Sequence, residues 1–287
     1  MADTIFEIRG VSFSYPGSYP GACPGHSLTL SDVSFSVERG ERLAILGANG
    51  SGKSTLLHLM DGLYFARSGT IKAFGEAMTP ESVERPPFGP RFRKEVGYLF
   101  QNSDAQLFCP SVEEELAFGP LQVGWTRQEI GGRISDTLDL LGIGGLRNRP
   151  PHGLSSGEKK KVALASLLVL SPSVLLLDEP TAGLDPRSQG NLLELLEDLH
   201  ERGLTLITAT HDLELLPHIA DRVMVFGEDH RIAADGPAAT LLEDTELLLR
   251  VNLIHAHRHW HGGVSHSHPH QHIVPHHHGH DPDGHEH

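Results

Sequence analysis

The stretch Arg42–Gly62, RLAILGANGSGKSTLLHLMDG, decides how the rest of the chain is read. Leu43–Leu46 is a short apolar run of the kind a buried strand carries, and a helix is predicted to follow it and to end at Gly62. Between them Gly47, Ala48, Asn49, Gly50, Ser51, Gly52, Lys53 and Ser54 fit G-x-x-x-x-G-K-[ST] at every required position, with Thr55 next. A phosphate chain needs several backbone N–H groups converging on it, and glycines let the backbone come that close. The positive end of the following helix adds to the attraction. Lys53 is placed to reach the β- and γ-phosphates, and the Ser54 hydroxyl to sit on Mg²⁺. The stretch reads as a nucleoside-triphosphate site.

The 287 residues suffice for one large α/β domain or two small ones. The net charge of −14 comes with no basic stripe, which argues against nucleic acid as a partner. Cys23 and Cys109 form no C-x-x-C pair and suggest a reducing cytosol rather than a disulfide framework. The first residues, MADTIFEIRGV, lack the pattern of a signal peptide. The apolar run Val162–Leu170 is too short to span a bilayer. A soluble chain is expected, brought to a membrane, if at all, by another protein.

Ile5–Ser14 and Leu30–Val37 alternate like half-buried strands, separated by the Pro/Gly/Ser loop PGSYPGACPGH. Thr70–Phe74 reads as another strand, and Glu76–Phe92, with four prolines, as an irregular and mobile connection. Val96–Phe100 is a short strand ending at Gln101. Ser111 caps a helix with Glu114 three residues on, Thr126–Leu141 keeps helical spacing, and a long helix opens at Ser155 and runs through Leu170. The region of about 102–170 is therefore a helical insertion in an alternating chain. Val174–Leu177 is a continuous apolar strand, Asp185-Pro186 starts a helix with a Leu192/Leu195/Leu196/Leu199 face, and Thr205–Thr210 is the next strand, ending at His211. Arg222–Phe226 and Arg231–Ala234 look like a hairpin. This order predicts an α/β fold with a mostly parallel sheet.

Asp178 and Glu179 close a strand expected beside the phosphate loop. An acid there holds Mg²⁺ through water and a second polarises the attacking water, so Asp178 is assigned to Mg²⁺ and Glu179 to the general base.

The ordered set GANGSGKST, Gln101, LSSGE, LLLDEP, AGLD and His211 resembles an ATP-binding cassette (ABC) ATPase over about residues 5–236. The resemblance implies a phosphate-loop core with an N-terminal antiparallel β subdomain, a helical subdomain and a head-to-tail homodimer, or a pairing with another cassette. Each ATP would lie between one phosphate loop and the partner's signature. On that pattern Ser155 and Gly157 contact the γ-phosphate bound by the opposite chain. Gln101 senses Mg²⁺ and the water while touching a membrane partner. Asp185 lies at the dimer seam, His211 contacts the γ-phosphate, and Tyr15 stacks on adenine. The signature departs from the usual LSGGQ: Ser156 replaces a glycine, which would cost about 1 kcal/mol if that position needed φ > 0.

FQNSDAQLFCPSVEEELAFGP and LSSGEKKKVALA are similar to the energy-coupling-factor branch, which imports micronutrients with separately encoded membrane proteins. Cobalt and nickel importers are the nearest reading, which implies a peripheral place on the cytoplasmic face of the cell membrane. A vitamin importer and a soluble ABC ATPase are the alternatives. After a domain of residues 1–250, the composition changes. The segment 251–287 holds fourteen of the 21 histidines and reads as a disordered tail. Its His255, His257, His259, His261, His266, His268, His270, His272, His276, His277, His278 and His280 are candidate ligands for Ni²⁺ or Co²⁺. His285 and His287 follow. Tail-borne metal buffering is the remaining alternative role.

Overall fold

The computed structural model describes residues 3–16, 28–261 and 264–270. Cys23, most of the Pro/Gly/Ser loop, His272, His276, His277, His278, His280, His285 and His287 lie outside the described residues.

Two sheets carry the chain. β1 (Thr4–Phe13), β2 (Leu30–Glu38), β4 (Ser68–Ala73) and β5 (Glu76–Ala77) form an antiparallel sheet in the order β2-β1-β4-β5. The second sheet is six-stranded and includes β3 (Arg42–Leu46), β6 (Val96–Leu99), β7 (Val174–Asp178) and β8 (Thr205–Thr210). With β9 (Arg222–Phe226) and β10 (Ile232–Pro237) its order is β10-β9-β3-β8-β7-β6. All its pairings are parallel except β10 with β9. β8 runs between β7 and β3, yet the end of β7 still reaches the glycine-rich loop, as expected.

The parallel strands are covered on both faces, which is why they read as unbroken apolar runs. Alternate residues go to opposite layers. Val174 and Leu176 of β7 pack toward the antiparallel sheet with Ile5, Phe6 and Leu56, while Leu175 and Leu177 meet the helical insertion. That insertion comprises α4 (Val112–Gln122), α5 (Arg127–Leu140) and α6 (Ser156–Leu168). α7 (Pro186–Glu201) buries Leu192, Leu196 and Leu199 in the same core at helical spacing.

The segment after β4 differs from its sequence reading. Glu76–Phe92 is an ordered connection: α2 (Pro80–Glu84) and α3 (Phe88–Glu95) follow β5. Thr79 and Ser82 form a reciprocal cap with Pro80 in the first turn, so one of the prolines starts a helix. Val83, Phe88 and Phe92 are buried against Leu59 and Met60 of α1 (Lys53–Met60) and their neighbours. At the other end α8 (Leu216–Ile219), α9 (Ala238–Glu243) and α10 (Thr245–Arg250) cover Ala44 and Leu46. This packing continues through Val251 to Ile254, past the composition break. Beyond it β11 (His255–His261) pairs antiparallel with β12 (Val264–His270) in a separate two-stranded sheet. Its register sets His255 opposite His270, His257 opposite His268 and His259 opposite His266. A lone hairpin of this kind is marginal in water, which is how its polar composition reads as a disordered tail.

Candidate functional site

The phosphate loop joins β3 to α1, at the carboxyl end of the parallel strands. Gly52 is the N-cap of α1 with φ 111°, and a Cβ there would lie 2.5 Å from the Thr29 carbonyl oxygen. Only glycine fits that close approach. The loop's Asn49, Gly50, Gly52, Lys53, Ser54 and Thr55 line a cleft of about 280 Å³ together with Thr29, Gln101 and Glu179. Gly47 and Ser51 are buried beneath it.

Lys53 is buried, and its ammonium donates to the carbonyls of Gly47 (2.8 Å) and Ala48 (3.2 Å). Burial lowers its pKa, and the nearby Glu179 and Asp178 carboxylates oppose that shift. Glu179 lies 4.0 Å from the ammonium. Ser54 Oγ donates to Asp178 Oδ1 at 3.0 Å, so the two groups assigned to Mg²⁺ meet although their strands are not neighbours. The other oxygen, Oδ2, accepts from the Tyr98 hydroxyl at 3.1 Å. Burial first, then the Asp178 charge, pushes the Tyr98 pKa up and keeps it a donor. Sequence reasoning missed Tyr98. Its one signal was a hydroxyl at the third position of the otherwise apolar VGYLF.

Glu179 follows the last residue of β7 with φ 44°, the left-handed region that costs a non-glycine residue about 1–2 kcal/mol. Its carboxylate is held on both oxygens: Oε1 lies 2.7 Å from His211 Nδ1, and Oε2 accepts from Thr210 Oγ1 at 3.3 Å. Asp178, Glu179, Ser54, Lys53 and His211 thus come together at the ends of β3, β7 and β8. Gln101 follows β6, exposed, at the mouth of the cleft.

Tyr15 is not among the cleft-lining residues. Its hydroxyl lies 3.1 Å from Thr55 Oγ1, and its ring is edge-on to Phe13 and Tyr64 at 5.1 Å each. It packs against the core beside the loop.

The signature residues sit elsewhere. Ser155, Gly157 and Glu158 line a separate hollow of about 290 Å³ with Lys161 and Ser188, and it shares no residue with the first. Ser155 caps α6 in a reciprocal box: Glu158 N donates to Ser155 Oγ (3.4 Å), and Ser155 N donates to Glu158 Oε2 (2.8 Å). That bond to the Ser155 backbone holds the Glu158 carboxyl below its ordinary range. Glutamate in LSSGE therefore has a local job. Ser156 is the first residue of α6 and is absent from the left-handed residues, so the strain considered for it does not arise. A Cβ on Gly157 would lie 3.0 Å from Ser188 Oγ, close to the α7 cap formed by Asp185.

Among the described residues no helix is long and apolar enough to cross a membrane. Nor does any group of three or more His, Cys, Asp or Glu among them stand ready to hold a metal.

Residues 30–182 match the family described as "ABC transporter". The chain is 50% identical over 252 residues to the nickel import ATP-binding protein NikO of Rhodobacter capsulatus, covering 87% of this chain and 95% of that one. It is 38% identical over 249 residues to the energy-coupling factor transporter ATP-binding protein EcfA of Methanothermobacter thermautotrophicus, covering 87% and 76% respectively. Among solved structures it resembles cbiO1 of Clostridium perfringens, part of the ABC transporter complex cbiONQ. The TM-score is 0.72 and the identity 34%, over 88% of this chain and 95% of that one.

Proposed function

The chain belongs to the ABC transporter family, and on that premise we propose that it is the motor subunit of a membrane importer for a transition-metal ion, nickel or cobalt. It is an ATPase coupled to transport. The observation that carries the finer reading is the 50% identity to a nickel import ATPase along nearly the whole of that protein. The histidine-rich segment points the same way.

The residues present suit MgATP. Gly52 holds φ 111° where a Cβ would strike the Thr29 carbonyl and Leu30, so the loop keeps its close turn, and among the described residues the Lys53 ammonium donates to neutral loop carbonyls, ready to be exchanged for phosphate oxygens. Ser54 and Asp178 form an oxygen pair of the kind hard cations take, and they would hold Mg²⁺. When bound, Mg²⁺ neutralises charge on the β- and γ-phosphates. Lys53 binds those phosphates, and the backbone N–H groups of Asn49, Gly50, Ser51, Gly52, Ser54 and Thr55 orient them. Glu179 takes a proton from the attacking water. His211 and Thr210 fix its carboxylate for that step, and His211 is exposed enough to meet the γ-phosphate. Gln101 orients the water from the cleft mouth.

Ser155 and Gly157 do not line the chain's own cleft, so the site is completed by a second cassette, with Asp185 at the seam. Membrane subunits dock on the cytoplasmic face, on the groove of about 660 Å³ lined by Leu63, Phe65, Phe108 and Phe118. Phe108 is 65% and Phe118, on α4, 43% exposed, and the two rings stack edge-on at 4.9 Å into one exposed apolar patch. The tail histidines collect the imported ion. Removing residues 255–287 is expected to abolish most Ni²⁺ and Co²⁺ binding by calorimetry while leaving ATP hydrolysis nearly intact. Equal metal uptake by both forms would end that role.

The function is tested by deleting the gene and measuring cellular uptake of radioactive Ni²⁺, Co²⁺ and vitamins. Loss of one metal flux, restored by the wild-type chain and not by Lys53→Ala, is expected. Loss of a vitamin flux with metal uptake intact would transfer the reading to a vitamin importer.

A further inference from the structure

We propose that Lys160 is a positioning residue for ATP hydrolysis: it fastens Gln101 to α6, so that the signature helix and the cleft-mouth glutamine move together. Lys160 is 3% exposed and lies on the second turn of α6. Its ammonium donates to the backbone carbonyls of Gln101 (2.8 Å) and Phe100 (3.3 Å), and no carboxylate among the described residues forms an ion pair with it. A buried cation is expensive unless its donors are used; these two carbonyls use them, and the Asp178 charge nearby opposes the effect of burial on the ammonium.

The anchored segment needs one. β6 is an edge strand, and the chain leaves it at Phe100, so the next carbonyls have no sheet neighbour. Two more links tie the same segment to the same helix. Gln106 Nε2 donates to Ala163 O (3.3 Å) while its Oε1 accepts from Phe100 N (3.2 Å), and Lys159 pairs with Asp104 at 2.5 Å. Of the three, only Lys160 holds Gln101 itself.

The consequence follows from where α6 begins. Its cap, Ser155, and Gly157 serve the ATP held by the partner, whereas Gln101 serves the chain's own ATP. Lys160 therefore joins the chain's own site to the partner's site through one rigid helix. This rests on the assignment of Gln101 and Ser155 under the function proposed above.

The test uses the full-length chain with Lys160→Met, Lys160→Arg and Gln101→Ala. ATP turnover is measured together with amide hydrogen exchange of residues 100–107 in the nucleotide-free protein. Lys160→Met is expected to lower kcat about tenfold, the value of one lost charged hydrogen bond, and to speed exchange in that segment. KM should stay within about twofold, and Lys160→Arg should recover most of the rate. Should Lys160→Met not fold, Lys160→Gln takes its place with the same readings. Unchanged kcat, or a slow enzyme whose 100–107 segment exchanges as in the wild type, would overturn the proposal. If Gln101→Ala is slow while Lys160→Met is not, the anchor fails and the assignment of Gln101 stands; if Gln101→Ala keeps full turnover, both fall.

Discussion

Replacing Tyr98 by phenylalanine removes one oxygen from the floor of the nucleotide site and little else. Tyr98 is 5% and Asp178 4% exposed, so the change leaves a buried carboxylate oxygen without its donor. The 3.1 Å bond to Asp178 Oδ2 is a buried hydrogen bond to an acidic group, worth roughly 2 kcal/mol. The ring's other contacts, with Phe100 at 4.6 Å and His58 at 5.5 Å, survive the change. For a domain of this size the loss corresponds to a fall in Tm of roughly 4–8 °C. A second effect concerns Mg²⁺. With only Ser54 left on Asp178, its carboxylate is free to rotate, and the Mg²⁺ needed for half-maximal turnover should rise roughly tenfold or more. Calorimetric unfolding of the nucleotide-free chain measures the first, and an Mg²⁺ titration of ATP turnover the second. A double-mutant cycle with Asp178→Asn isolates the pair. A Tm within about 1 °C of wild type, together with an unchanged Mg²⁺ requirement, would refute the reasoning that this hydroxyl fixes Asp178.

Lys53→Ala should lose ATP binding or turnover, because the β- and γ-phosphates lose their fixed counter-charge. Binding of a fluorescent ATP analogue reads it, and wild-type affinity with wild-type turnover would remove Lys53 from the phosphate site. Asp61 lines the groove beside α3, and burial raises its pKa to about 8. A carboxyl raised on folding stabilises fully below its unfolded pKa, and that contribution fades as pH climbs through about 8. Asp61→Asn should therefore be the more stable form at pH 9 and flatten the alkaline limb; because the groove is open to water, the direction is the prediction. Parallel stability curves for both forms between pH 5 and pH 9 would contradict it.

Where a residue's job was local, the sequence showed it. Ser111 and Asp185 cap their helices from side-chain chemistry that three or four residues suffice to read. The strand–turn–helix unit around Gly47–Lys53 was legible for the same reason, since adjacent residues set β3, the glycine turn and α1. What stayed hidden depends on partners far along the chain. Tyr98 meets Asp178 across 80 residues, and Lys160 meets Gln101 across 59. The prolines of Glu76–Phe92 suggested irregularity, yet Val83, Phe88 and Phe92 had a core to pack on that only the assembled fold supplies. Strand order was likewise out of reach: nothing in the apolar run of β7 says that β8 intervenes before β3. The left-handed backbone that Ser156 lacks is found at Glu179, just after β7, whose carboxylate meets His211.

The proposed function requires ATP to be hydrolysed between two cassettes, with Glu179 as the base. Sedimentation of Glu179→Gln, with ATP turnover measured on the same sample, tests both halves. The variant should be monomeric without nucleotide, dimeric with MgATP, and slower than wild type by at least about a hundredfold. A variant that stays monomeric in MgATP while turning over at the wild-type rate would contradict it.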